Sequence, residues 1–232
     1  IFCANAGHGS FRVLPYLDKK IISKNPKIFV GYSDITILLC YLQRITNMVV
    51  FHGPVLCGEI HQSMNYLTEE YLIKAIGQSS PMEKLAFRGV RILRHSNAAG
   101  ILTGGNLAMI ANSIGTPYEI DTKDKILFLE DINESLEEID NYFMQLKLAG
   151  KFSSIRGLIL GKMIGCGRYS ARSFDINKII DNILADKKIP AICGFPSGHR
   201  RSGGPNITLP LGVKVTLDAD NRCLIINEPA VR

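Results

Sequence analysis

The stretch Lys27–Leu42, KIFVGYSDITILLCYL, decides how this chain is read. A β-rich run enters Gly31, Tyr32, Ser33 and Asp34, and an apolar helix follows at once. A strand-to-helix turn this sharp lifts a hydroxyl out of a sheet and sets it at a helix N-terminus, where free N–H groups favour a developing oxyanion. The pattern departs from G-x-S-x-G because Asp34 stands where the second Gly would be. On this segment alone, capping of the helix by Ser33 or Asp34 is the better-supported reading.

Outward from this turn, strands and helices alternate. Ile1–Asn5 reads as a strand, and FRVLPYLDKKIISKN as a helical stretch with Leu14, Leu17 and Ile21 inward and Pro26 ending it. ITILLCYLQRIT is a helix ending before Asn47, MVVFHGP a strand stopping at Gly53, and Thr68–Gly77 a further helix. The order βαβαβ argues for a parallel sheet with crossover helices, an α/β class. Residues 81–99 are polar, punctuated and weakly periodic, and read as a linker between a unit at 1–80 and one at 100–232. In the second unit, LTGGNLAMIANSIG opens as a Gly-rich turn into a helix and KILFLED is a strand. ESLEEIDNYFMQLKLAG is an amphipathic helix closed by Gly150. GLILGK and AICGF are strands flanking a helix near 175–188, and the end is a hairpin around Ala219–Asn221.

The balance of 46% hydrophobic and 21% charged residues in 232 is that of a chain able to bury a sizeable core. The net charge of +6 comes from scattered Lys and Arg without a basic stripe, which argues against nucleic acid as a partner. Six cysteines form no CxxC pair and no metal-ligand spacing, and they read as buried free thiols in a reducing compartment. No apolar run reaches the roughly 18 residues of a membrane span. The chain begins at Ile1 without an initiator Met, inside what reads as a strand, and is expected to lack its true N-terminus.

A nucleophilic Ser needs a base within hydrogen-bond reach and a third group to orient that base. Of the five histidines, His61 and His95 lie in polar stretches and read as surface residues. His8 sits in the Gly7–Gly9 loop, and His52 ends VVF before Gly53 and Pro54, so both are candidates to line a site. His199, in FPSGHRRSGGPN directly after the strand AICGF, is the best-placed base, a solvated loop His being an even alternative. For the carboxylate, Glu130 ends KILFLE, a strand apolar on both faces, where an acid needs a partner. Asp131 and Glu134 compete with it. A nucleotide-binding Rossmann module is the reading from another class, but GHGSFR lacks the third Gly of its fingerprint and no acid follows the second strand.

Taken together, FRVLPYLD, GYSDIT, FHGP, LTGGNLAMIANSIGTP, ILFLED, QLKLAGKFSSIRGLILG and GHRRSGGPNITLPLGV resemble the LD-carboxypeptidases. These serine peptidases include muramoyltetrapeptide carboxypeptidase and the microcin C immunity peptidases. The resemblance spans essentially the whole chain. It implies a Rossmann-like N-terminal domain, here incomplete, and a C-terminal α/β domain with a mixed, barrel-like sheet. By motif, Ser33 corresponds to the nucleophile, Glu130 to the triad carboxylate and His199 to the base. The amides of Asp34 and Gly7 correspond to the oxyanion donors. His8, His52 and Asn106 are expected to line the substrate cleft, and Arg12, Arg168 and Arg200 are candidates for a terminal carboxylate.

The implied reaction releases D-Ala from a muropeptide tetrapeptide or another small peptide, in a cytoplasmic homodimer that needs no metal or cofactor. FLED followed by INESLEEID sits closer to the cell-wall branch than to the peptidyl-nucleotide one. Two departures stand out. The family's paired Gly reads Ala6–Gly7, so a methyl sits where a positive φ would be strained. Family members also carry several tens of residues before this point, so the chain alone is expected to be poorly active or unstable and its full-length parent active.

Overall fold

The structure, a computed structural model, describes residues 1–61, 64–167 and 176–232. Its smaller sheet has three strands, in the order β1 (Val30–Gly31), β2 (Val50–His52) and β9 (Leu209–Leu211). β1 and β2 are parallel, with Gly31 opposite His52, and β9 runs antiparallel to β2, with Leu209 opposite His52. The strand that leads into Ser33 therefore shares a sheet with a segment from the far end of the chain.

The larger sheet has eight strands. Its centre is parallel: β5 (Asn97–Asn106), β6 (Lys125–Ile132), β7 (Gly157–Ile164) and β8 (Ala191–Cys193). On one side lie β10 (Lys214–Asp218), β11 (Cys223–Ile226) and β3 (Glu83–Ala86), and on the other β4 (Arg91–Arg94), all antiparallel to their neighbours. At about 3.5 Å per residue, the short connection from Ala86 to Arg91 holds the two edge strands within about 18 Å of one another. The sheet is thus curled, yet β3 and β4 are not paired with each other, and among the described residues no closed barrel forms.

Helix α3 (Thr36–Thr46) is apolar almost all round because it is buried between the sheets. Its one buried amide is satisfied on β5: Gln43 donates to the Leu102 carbonyl at 3.2 Å and accepts from the Thr103 hydroxyl at 2.9 Å. Asn47 ends the helix in the left-handed conformation, φ 55°. Where α3 begins, the backbone approach is close. A methyl on Gly105, whose φ is +144°, would lie 2.6 Å from both Oγ1 and Cγ2 of Thr36. The amide of Asn106 donates to the same Thr36 hydroxyl at 3.0 Å. Helix α6 (Leu136–Leu148) opens on a full capping box between Ser135 and Glu138.

The structure departs from the sequence reading in four places. Gly104 and Gly105 lie inside β5, because what they supply is close approach and not a turn. Ile1–Asn5 contributes a single bridge, Phe2 to Val30, in place of a full strand. The stretch after Gly9 breaks into α1 (Ser10–Val13), a 3-10 turn (Leu14–Tyr16) and α2 (Lys19–Lys24), which leaves Ile21 63% exposed while Leu14 is buried. Residues 81–99, read as a linker, hold β3, β4 and the start of β5.

Gly105→Ala is therefore expected to lower stability by about 1–3 kcal/mol through strain and overpacking. Gly77→Ala, at the end of α4 (Tyr66–Gly77) with open space around it, should leave the urea midpoint nearly unchanged.

Candidate active site

Near its C-terminal end β6 carries a wholly buried carboxylate, Glu130, at a point where the β6–β7 register slips between Leu129 and Asp131. Oε2 of Glu130 accepts two hydrogen bonds from one residue, the backbone N–H of His199 and its Nδ1, each at 2.8 Å. Burial alone would push the Glu130 carboxyl up, but the hydrogen bonds and charge of His199 hold it below the ordinary glutamate value. Burial would equally depress His199, and the hydrogen bond and charge of Glu130 outweigh it and raise that imidazole. With Nδ1 engaged, Nε2 is the nitrogen left to exchange a proton.

The loop that carries His199 is shaped around this contact. Gly198, at φ 94°, has no room for a side chain, since a methyl there would fall 2.4 Å from Oε2 of Glu130. The Gly198 amide donates to Oδ1 of buried Asn206 at 2.9 Å, and the amide of Asn206 donates to the Thr68 hydroxyl at 2.8 Å.

Ser33 stands at the turn from β1 into α3, in a 3-10 turn (Ser33–Ile35), with φ 61°. A non-glycine residue in left-handed backbone at a strand-to-helix turn is strained, and such strain concentrates at functional positions. Gly31 makes the turn possible: a methyl there would lie 2.7 Å from Ile35 and 3.1 Å from the Cys3 sulfur. The Asp34 carboxylate is buried and accepts from the amide and hydroxyl of Ser10, at 3.0 and 2.7 Å. It thereby ties the Gly7–Gly9 loop to the Ser33 turn. Ala6 is not among the residues with positive φ, so its methyl carries no such strain.

Tyr32 bridges the serine turn and the histidine loop, its ring edge-on to His199 at 5.0 Å and to His52 at 6.0 Å. Burial, together with the Glu59 carboxylate, pushes its phenol up. His52 is fully buried behind Tyr32 and against Phe128, and burial lowers it to about 4, so it stands neutral. The side chain of Asn106 caps α5 (Leu107–Ser113) through Met109 N and donates to Asp131 at 2.8 Å. Asp131 also accepts from the amide of Ala108, so it serves that helix start. Glu134 pairs with the Tyr142 hydroxyl at 3.3 Å.

An open cleft of about 550 Å³ is lined by Tyr32, Gly58, Glu59, Ile132, His199 and Arg200. His8, Gly9, Arg12 and Asp34 border a second cavity of about 370 Å³. Arg168 lies outside the described residues. The sequence reading missed Glu59 and Tyr32. Glu59 had a faint signal, a lone acid in the apolar run PVLCGEI.

A strained serine at a strand-to-helix turn, whose neighbour Tyr32 lies edge-on to the imidazole of a buried carboxylate–imidazole pair, is the equipment of a serine-type hydrolase. Residues 1–53 match the model of the LD-carboxypeptidase N-terminal domain, and residues 99–217 that of the C-terminal domain. The chain is 32% identical to a probable murein peptide carboxypeptidase of Bacillus subtilis, over 97% of this chain and 70% of that protein. It is 33% identical to the microcin C7 self-immunity protein MccF of Escherichia coli, over 96% and 72%. Its fold matches a structure of MccF with TM-score 0.90 at 28% identity, over 100% of this chain and 76% of that one. It matches muramoyltetrapeptide carboxypeptidase from Oxalobacter formigenes with TM-score 0.83 at 26%, over 98% and 79%. The chain belongs to the LD-carboxypeptidase family of serine-type peptidases.

The Glu130–His199 pair carries a stability signature with opposite signs on its two members. The raised imidazole contributes fully below its unfolded value of 6.5 and fades as pH climbs through the folded value. The depressed carboxyl contributes above 4.5 and fades as pH falls through its folded value. Urea midpoints taken at stepped pH should show Glu130→Gln most destabilising between 4.5 and 6.5, with a smaller loss at higher pH.

Proposed function

We propose that the chain hydrolyses the L,D-peptide bond of a muropeptide tetrapeptide and releases D-Ala, with Ser33 as nucleophile, His199 as general base and Glu130 as its orienting carboxylate. The single observation that carries this reading is the doubly hydrogen-bonded Glu130–His199 contact, which leaves Nε2 of His199 as the free proton acceptor. In this mechanism Nε2 takes the proton of the Ser33 hydroxyl as Oγ attacks the scissile carbonyl, and the amides of Asp34 and Gly7 stabilise the oxyanion. His199 then protonates the leaving amine, and water removes the acyl group from Ser33 by the reverse route. Glu130 keeps the imidazole in the tautomer this requires and stabilises its charged form. His8 lines the neighbouring cavity, whereas His52 and Asn106, expected to line the cleft, are buried and do not border it. Residues 1–80 carry the nucleophile and 100–232 the acid and base, in a cytoplasmic homodimer. Among the described residues no helix is long and apolar enough to cross a membrane.

A peptidyl-nucleotide substrate is the second reading, favoured by the TM-score of 0.89 to MccF in complex with glutamyl sulfamoyl guanosine. Incubation with tetrapeptide muropeptide should release D-Ala, read by mass spectrometry, and a fluorophosphonate should label Ser33. Ser33→Ala and His199→Gln should each lower release by roughly 10⁴-fold or more. Cleavage of glutamyl sulfamoyl adenosine with no D-Ala release would move the assignment to the second reading, and absence of both activities and of labelling would sink it.

A further inference from the structure

Two bonds separate the nitrogen of a terminal amino acid from its carboxylate carbon, an N-to-C span of about 2.5 Å. If His199 protonates the leaving amine, whatever reads the free carboxylate must border His199. Arg200 is the next residue in the chain and lines the same cleft. Its side chain is mostly withdrawn from water, and its Nε lies 3.5 Å from Oε1 of Glu59, a buried carboxylate. Glu59 is itself fixed: Oε2 accepts from the amide of Val55 at 3.4 Å and Oε1 from the side-chain amide of Asn206 at 3.4 Å. Asn206 is the residue that also holds Gly198, so one buried side chain sets both the His199 loop and the anchor of Arg200. Among the described residues, Glu59 is the only group ion-paired with the guanidinium, and it takes the Nε side. The two terminal nitrogens are then the free edge of a planar fork suited to a second carboxylate. Arg12, by contrast, is exposed and lines the cavity with His8 and Asp34.

We propose that Arg200, held through Nε by Glu59, receives the terminal carboxylate of the leaving residue on Nη1 and Nη2 and so makes this chain a carboxypeptidase in place of an endopeptidase. The inference rests on the peptidase reading above and names its specificity residue. No bond is made or broken by Arg200, which acts through charge and geometry alone.

The test compares a tetrapeptide muropeptide ending in D-Ala with the same peptide amidated at its C-terminus, using the full chain. Wild type should favour the free acid by about ten- to a hundredfold in kcat/KM, the scale of a charge-assisted bidentate contact. Arg200→Ala should bring the acid-to-amide ratio close to one, and Arg200→Lys, a point charge without the fork, should give an intermediate ratio. If Arg200→Ala does not fold, Arg200→Gln and Arg200→Lys carry the comparison. A ratio that survives removal of the guanidinium, or a wild type that cleaves acid and amide equally, overturns the proposal while leaving the peptidase reading intact. A wild type that cleaves neither peptide and leaves Ser33 unlabelled by an uncharged fluorophosphonate overturns the peptidase reading and this inference with it.

Discussion

The carboxylate of Glu130 has no access to water, and much of the architecture around it follows from that. A buried charge without a partner is penalised by several kcal/mol, so something must be brought to it. What is brought is a loop, not merely a side chain, because the same oxygen takes both a backbone and a ring N–H from His199. That double contact demands a backbone so near the carboxylate that only glycine fits at 198, and the packing of β7 against β6 leaves no room at Gly161 either. The requirement then spreads outward: Asn206 must hold the Gly198 amide, and Thr68 must hold Asn206.

Strain at Ser33 is sustained in a comparable way. An L-residue in left-handed backbone gives up roughly 1–3 kcal/mol, and it stays there only if its surroundings leave no alternative. Gly31, two residues before it, allows β1 to pass close to Ile35 and Cys3, and the aspartate after it is locked by two hydrogen bonds from Ser10. Asp34, which breaks the G-x-S-x-G pattern, thus has a structural task of its own. It binds the serine turn to the glycine loop, the two backbone segments proposed to hold the oxyanion.

What the sequence revealed and what it hid divide along physical lines. Helix Thr36–Thr46 and its end at Asn47 were legible because both signals are local: an apolar run and a left-handed cap. That Glu130 would be buried with a partner was legible because an acid inside an apolar strand needs explaining. Residues 81–99 hid their strands because edge strands present one solvated row, and their partners, β11 and β8, are distant in the chain. Gly104 and Gly105 looked like a turn because the requirement they meet is imposed by Phe128 and Thr36. Ile21 looked like core because helical spacing was carried across a stretch that breaks into separate turns. The exposed Leu148 and buried Gln43 show the same limit: polarity predicts burial only when the neighbours are known.

The assembly of the candidate site is therefore a backbone property before it is a side-chain one. Ser33 and His199 sit on segments far apart in sequence, and two joints fix their relation. One is the smaller sheet, where β2 lies between β1, which leads into Ser33, and β9, which follows the His199 loop. The other is the seat of Thr36 on Gly105 and Asn106, one strand away from Glu130. Between these joints Tyr32 lies edge-on to His199. A side chain can relax around a mutation, but a strand register and a glycine contact are all-or-none. The geometry of the proposed proton-transfer pair thus rests on the least adjustable elements of the fold, while the cleft wall of Tyr32, Arg200 and Ile132 is left to side chains.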